Sequence, residues 1–314
     1  MREFASLLLV AALVAWVVSP VSAERSIELS FVGTDVPAAD LLEALSSSPS
    51  RQFKPIGRTS VLFRMRTVSR VTAGFKVESE GQEDGYRAEI AAYRLSRLLA
   101  LDNVPPTIFR QANRREIQKK FHREKRDRWK GVAARTAWQP DGVVDGAASY
   151  WVKGARRGLD KRKGQWQAWL RVGGTIPEGK SSLAADLSSM TLFDFIVGNW
   201  DRYSGGNLLG SPDGTRALLV DHDSAFDRLN EPLYRRMLDD VMRTERFSMG
   251  FVRHLSALDR DAIERELSED PSHAVTPLLN DAQIDALLDR RATALSHVAA
   301  LVEQHGSEQV LFFP

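Results

Sequence analysis

The 314-residue chain contains no cysteine. Disulfides, thiolate chemistry and cysteine-based metal sites are therefore excluded. Histidine is sparse as well: His254, His273, His297 and His305 are scattered and show no zinc-type spacing such as HExxH. An excess of one charge is also missing. With 43 Lys/Arg against 41 Asp/Glu, the formal net charge is +2. That argues against wholesale nucleic-acid binding and leaves room only for a local patch. There is no internal repeat, and no stretch after Ala23 is apolar enough to read as a transmembrane segment.

What stands before Ala23 reads as a secretory signal peptide, Met1 to Ala23. Arg2 is its positive start, Ala5 to Val18 its apolar core, and Val21-Ser22-Ala23 its small-residue cleavage site. The mature chain is expected to be soluble and exported. An exported chain of this size without cysteine fits a bacterial periplasm or exterior better than a eukaryotic secretory route. The length allows one two-lobed domain or two small ones.

The informative stretch is Thr191 to Phe226, TLFDFIVGNWDRYSGGNLLGSPDGTRALLVDHDSAF. A helical apolar run, Leu192 to Val197, is broken by Gly198-Asn199. Asp201-Arg202 follows, then a glycine-rich turn to Asn207, and a short apolar strand, Ala217 to Val220, delivers Asp221. Two carboxylates and an amide on loops between regular elements suit phosphoryl transfer. One Asp positions the attacking hydroxyl and accepts its proton, while a second Asp and an Asn hold divalent metal on the phosphates of ATP.

Upstream, Phe53 to Glu78 alternates as strands do, with a turn at Gly57-Arg58-Thr59-Ser60 and Lys76 inside the strand Val71 to Val77. Arg87 to Leu101 reads as a helix carrying Glu89, ended by Asn103 and Pro105-Pro106. A strand lysine followed by a helix glutamate is the pattern in which the lysine holds ATP phosphates and the glutamate fixes the lysine.

These segments carry a resemblance. Arg87 to Leu99 (RAEIAAYRLSRLL) followed by Val104-Pro105-Pro106, Gly74-Phe75-Lys76, Gly198-Asn199-Trp200-Asp201-Arg202 and Leu219-Val220-Asp221-His222 resemble, in order, motifs of the secretory-pathway kinases of the Golgi casein kinase and four-jointed family. The resemblance covers roughly residues 58–226 and points to a bacterial relative. It implies an α+β, two-lobed atypical kinase fold with a β-rich N-lobe and a mostly helical C-lobe. It implies Asp201 as catalytic residue, Lys76 and Glu89 at the ATP phosphates, and Asp221, Asn207 and Asp84 as ligands of Mg2+ or Mn2+. Gly57, Arg58, Thr59 and Ser60 would cover the phosphates. The chain departs from the pattern at Tyr203, at the spacing of Asn207, at His222 and in having one glycine in that loop.

The expected layout is a signal peptide (1–23), an N-terminal extension (24–52) and a kinase-like domain (53–314). The last divides into an N-lobe (about 53–110), a basic insertion (about 110–146) and a C-lobe (about 147–314). Between Arg110 and Arg135 there are 11 Lys/Arg against three acids, read as a solvated face or as a docking surface for an acidic partner. Nucleic acid is not expected, since no motif for it is present. Ala147 to Lys153 would supply a strand and hinge beside adenine. After Phe226 the chain reads as C-lobe helices, with Asp281 capping a long one.

The expected activity is transfer of the ATP γ-phosphoryl group to a hydroxyl of a protein (Ser/Thr) or glycan acceptor. The alternatives are a catalytically inactive pseudokinase and an exported protein that binds anionic polymers.

Overall fold

The computed structural model describes residues 30–57 and 59–314. The expected signal peptide and Arg58 lie outside the described residues.

Helix α1 (Ala38–Ser47) leads into strands β1 (Ser50–Pro55), β2 (Leu62–Thr67) and β3 (Thr72–Val77). Helix α2 (Gly85–Leu98) follows, then β4 (Thr107–Asn113), the short helices α3 (Arg114–Lys119) and α4 (Trp129–Arg135), and β5 (Val143–Tyr150). The strands form one antiparallel sheet in the order β1-β2-β3-β5-β4. Strand alternation puts Phe53, Phe63, Met65 and Phe75 into one buried layer, where Phe53 meets Phe63 edge-on at 5.7 Å. Phe121 and Ile117 close that layer from the segment after β4.

This sheet redraws the expected layout. Residues 24–52 include α1, which packs on β4 and β5, and the start of β1. The range 110–146 begins inside β4 and ends inside β5, and β5 pairs with both β3 and β4. Pairing partners far apart in sequence leave no local mark, so extension, insertion and lobe could not be separated by reading along the chain.

The second lobe is helical. It comprises α5 (Lys163–Trp169), α6 (Ser181–Val197), the hairpin β6 (Leu208–Gly210) and β7 (Ala217–Leu219), α7 (Glu231–Met242), α8 (Met249–Ala257), α9 (Arg260–Ser268), α10 (Asp281–His305) and α11 (Ser307–Val310). Helix α6 is buried along nearly all its length, as its largely apolar sequence requires. The cap of α10 is Asn280, not Asp281: its side chain accepts from the Gln283 N–H while the Gln283 side chain accepts from the Asn280 N–H. The C-terminal tail packs back, with the Phe247 N–H on Val310 O at 2.7 Å and Phe313 buried. Among the described residues no helix is long and apolar enough to cross a membrane.

Candidate active site

Lys76 lies on β3 between Leu62 of β2 and Ala147 of β5, and it is buried. A buried ammonium needs partners, and it has three. Its Nζ lies 2.7 Å from Glu89 Oε1, 2.5 Å from Asp221 Oδ1 and 2.6 Å from Asp223 Oδ2. Glu89 reaches it from the second turn of α2, and its other oxygen accepts the His222 N–H at 3.1 Å. Burial opposes the charge of Lys76, yet Glu89, Asp221 and Asp223 hold its pKa well above the usual value. Burial likewise pushes the Glu89 carboxyl up, but Lys76 and then His222 bring it well below the usual range. Asp223 goes the other way. Burial, with Asp221 and Glu89 adding and Lys76 opposing, pushes its pKa up to about 6.

Asp221 follows β7 in the left-handed region, at φ 61°. Such a conformation is unfavourable for a residue with a Cβ and persists where the surroundings hold it. The carboxylate is about a third open.

Asp201 sits on the loop after α6. Gly198 ends that helix at φ 73°, a position that suits glycine. Arg202, next to Asp201, is almost wholly buried and organises the loop. It donates through Nε and Nη2 to both oxygens of Asp194, each at 2.8 Å. Nη1 donates to Asn207 O at 2.5 Å and Val220 O at 2.6 Å, and Nη2 also lies 2.8 Å from His222 Nε2. Asn207 turns its amide to Asp201, donating to the backbone O at 3.1 Å and to Oδ2 at 3.3 Å, and Ser204 Oγ donates to the same Oδ2 at 2.9 Å. The loops carrying Asp201 and Asp221 are tied at both ends, by Phe226 N–H to Val197 O at 2.7 Å and by Val220 N–H to Asn207 O at 3.1 Å.

Above these loops a cleft of about 580 Å3 opens between the lobes. Ile56, Leu62, Val104, Trp151, Leu209 and Leu218 line it with apolar surface. Lys76, Asn207 and Asp221 are among its polar lining. The size and the apolar walls with a few convergent polar groups suit a nucleotide.

Lys76, Glu89, Asn207 and Asp221 thus share one cleft. Asp84 does not line it. It precedes α2, pairs with Arg87 at 2.7 Å and lines a neighbouring cleft of about 140 Å3 together with Asp223 and Asp227. Gly57, Thr59 and Ser60 form the turn between β1 and β2, but the residues that line the cleft there are the flanking Ile56 and Leu62. A Cβ on Gly57 would sit 2.2 Å from Ser60 O, so the turn accepts no other residue unchanged. Asp223 is absent from the sequence-based set. The Asp-His-Asp run after β7 was the signal for it.

The carboxylates of Asp221 and Asp223 and the amide oxygen of Asn207 are hard donors that fit Mg2+ or Mn2+. Among the described residues no three of His, Asp or Glu are grouped to hold a metal unaided. An ion here would take further oxygens from nucleotide phosphates, as Mg2+ commonly does.

The fold and the cleft define a class: ATP-dependent kinases of the two-lobed, protein-kinase-like architecture. No family model matches the chain. The glycosaminoglycan xylosylkinase of Homo sapiens is 23% identical over 341 aligned positions, 94% of this chain and 81% of that protein. The human extracellular serine/threonine protein kinase FAM20C is 23% identical over 265 positions, 72% of this chain and 45% of its own length. A crystal structure of the Golgi casein kinase with Mn/ADP bound matches with a TM-score of 0.67 at 19% identity, covering 90% of this chain and 80% of that one. The structure of hydra Fam20 with sugar matches at 0.66 and 19% identity, covering 91% and 95%. In fold, motif order and sequence the chain is similar to the Golgi casein kinase family.

Proposed function

We propose that this chain is an exported kinase that transfers the γ-phosphoryl group of ATP to a hydroxyl of a protein or glycan. The observation that carries the reading is the Lys76 ammonium, held at once by Glu89 from α2 and by Asp221 from the other lobe, in the lining of a nucleotide-sized cleft. Lys76 neutralises phosphate oxygens, and Glu89 keeps it aimed. Asp201 accepts a hydrogen bond from the acceptor hydroxyl and takes its proton as the new O–P bond forms and the bond to the ADP oxygen breaks. Arg202 and Asn207 keep that loop in place. Asp221 and Asn207, with Asp223 beside them, would hold Mg2+ or Mn2+, which supplies neutralisation of phosphate charge when bound.

The relatives' names support both acceptor classes, a glycan in one case and serine/threonine in the other. The leader-like sequence of Met1 to Ala23 and relatives named Golgi and extracellular support export. The test uses the chain from Glu24. Thermal stability is followed with Mn·ADP for wild type and Asp221→Ala, and phosphate transfer is followed for wild type and Asp201→Ala. A Mn-dependent upward shift lost in Asp221→Ala, with transfer lost in Asp201→Ala, is expected. No shift in the wild type removes the nucleotide reading. A shift without any Asp201-dependent transfer leaves a nucleotide-binding pseudokinase.

A further inference from the structure

Resting on that reading, we infer that Arg128 and Arg135 are positioning residues for the nucleotide: they hold the turn between β1 and β2 at the cleft from its outer side. Arg128 donates through Nη1 to Pro55 O at 3.2 Å and through Nη2 to Gly57 O at 3.0 Å, and Arg135 donates through Nη2 to Thr59 O. Three alternate carbonyls of one turn are thus held by two guanidinium groups. Arg128 precedes α4 and Arg135 is its last residue, seven positions on, a spacing of two helical turns that puts them on one side. Helix α4 is itself anchored. Trp129 packs edge-on against Phe121 at 5.3 Å, and Trp138 Nε1 donates to Ala133 O at 2.8 Å.

The turn needs such a hold. A glycine-rich loop cradles phosphate with its own amides, and this one has a single glycine. Its ends are closed by Ile56 N–H and Gly57 N–H, which both donate to Leu62 O. A trans peptide points its carbonyl and the next N–H in opposite directions. Fixing Thr59 O on Arg135 therefore turns the Ser60 N–H to the other side. Ile56 and Leu62, at the two ends of the turn, already line the cleft.

The basic segment is thereby partly explained without an acidic partner. Its first member, Arg110, serves the end of α1, donating to Leu45 O at 2.6 Å and Ser48 O at 2.8 Å. Lys120 pairs with Glu116 at 2.9 Å.

The experiment measures the dissociation constant for Mn·ADP and the hydrogen exchange of amides 56–62. It compares wild type, Asp221→Ala, Arg128→Met, Arg135→Met, Arg128→Lys and the exposed neighbour Arg126→Met. Each arginine-to-methionine change at 128 and 135 is expected to weaken Mn·ADP about tenfold, the size of a lost charge-assisted hydrogen bond. Amide exchange in the turn is expected to rise in both. Arg128→Lys falls between, because an ammonium meets one carbonyl where the guanidinium meets two. Arg126→Met matches wild type. If wild type binds Mn·ADP, Asp221→Ala abolishes it and both methionine variants bind as wild type, the inference falls and the kinase reading stands. If wild type does not bind, both fall. Should a methionine variant not fold, Arg128→Lys decides: unchanged affinity and unchanged exchange overturn the inference.

Discussion

Arg202 Nη2 lies 2.8 Å from His222 Nε2, and both side chains are buried. A guanidinium only donates, so His222 Nε2 accepts and carries no proton. The imidazole is neutral, with its proton on Nδ1, which lies 3.8 Å from Glu89 Oε2. Burial and then Arg202 hold its pKa down, while Glu89 and Asp194 oppose them. Nitrogen-resolved NMR is expected to show the Nδ1–H tautomer persisting below pH 6.5. A doubly protonated ring at pH 6 would contradict the assignment.

The same shift fixes a sign for stability. A histidine whose folded pKa is lowered binds fewer protons folded than unfolded. Its contribution is complete above the unfolded pKa near 6.5 and is lost as pH falls below it. Burial lowers His254 and His297 as well. The three histidines therefore make the thermal midpoint fall on acidification from pH 6.5 to 5, against Asp223, whose pKa of about 6 works the other way in that window. His297→Gln should flatten part of that fall; an unchanged slope would remove His297 from the account.

Arg202 pairs both oxygens of the buried Asp194. Arg202→Met strands that carboxylate and is expected to cost about 3–5 kcal/mol in urea unfolding. The double change Arg202→Met with Asp194→Leu should recover a measurable part of it. A single-variant cost under about 1 kcal/mol would show that the pair does not organise the loop.

Two glycines should respond oppositely to alanine. Gly146 on β5 lies opposite Val77, and a Cβ there would come 2.4 Å from Lys76 O. Gly146→Ala is expected to cost about 1–3 kcal/mol by overpacking and to weaken Mn·ADP by displacing Lys76. Gly131 in α4 has nothing within 4 Å of its Cβ position. Gly131→Ala should stabilise by up to about 1 kcal/mol through helix propensity. Thermal or urea unfolding checks both signs.

Glu89→Gln keeps the size of the side chain and leaves an oxygen for the His222 N–H, but removes one of the three charges on Lys76. The fold should persist while the ATP KM rises about tenfold. An unchanged KM would separate Glu89 from the placement of Lys76.

Sequence and structure part company at identifiable places. Lys76, Glu89, Asn207 and Asp221 were legible because each stands next to a strong local signal: a strand, a helix, a glycine turn, a short apolar run. Asp194 was passed over inside the apolar run LFDFIV, and its partner Arg202 follows a helix end whose direction the sequence does not show. Asp223 stands two positions after Asp221, and the Lys76 it pairs with lies on a strand far earlier in the chain. Asp84 was placed by resemblance alone, and the start of α2 turns it toward a different cleft. The five-stranded sheet was only half readable, since β5 joins β3 to β4 through contacts between residues about 70 and 40 positions apart. Likewise, Arg128 and Arg135 read as surface charge because the carbonyls they hold belong to a turn far earlier in the chain.

The ties from Phe226 to Val197 and from Val220 to Asn207 make the two aspartate loops a single frame. Opening or closing the lobes cannot change the span between Asp201 and Asp221 without breaking those ties. The span from Lys76 to Asp221 crosses from one lobe to the other and is held through side chains, with Lys76 also on Asp223 and Glu89 on the His222 N–H. It is the built-in gauge of lobe closure, and it stands at 2.5 Å. Phosphate oxygens that share the Lys76 ammonium with Asp221 would lengthen that span, so the grip that readies Lys76 for phosphate is also where the two lobes register what lies between them.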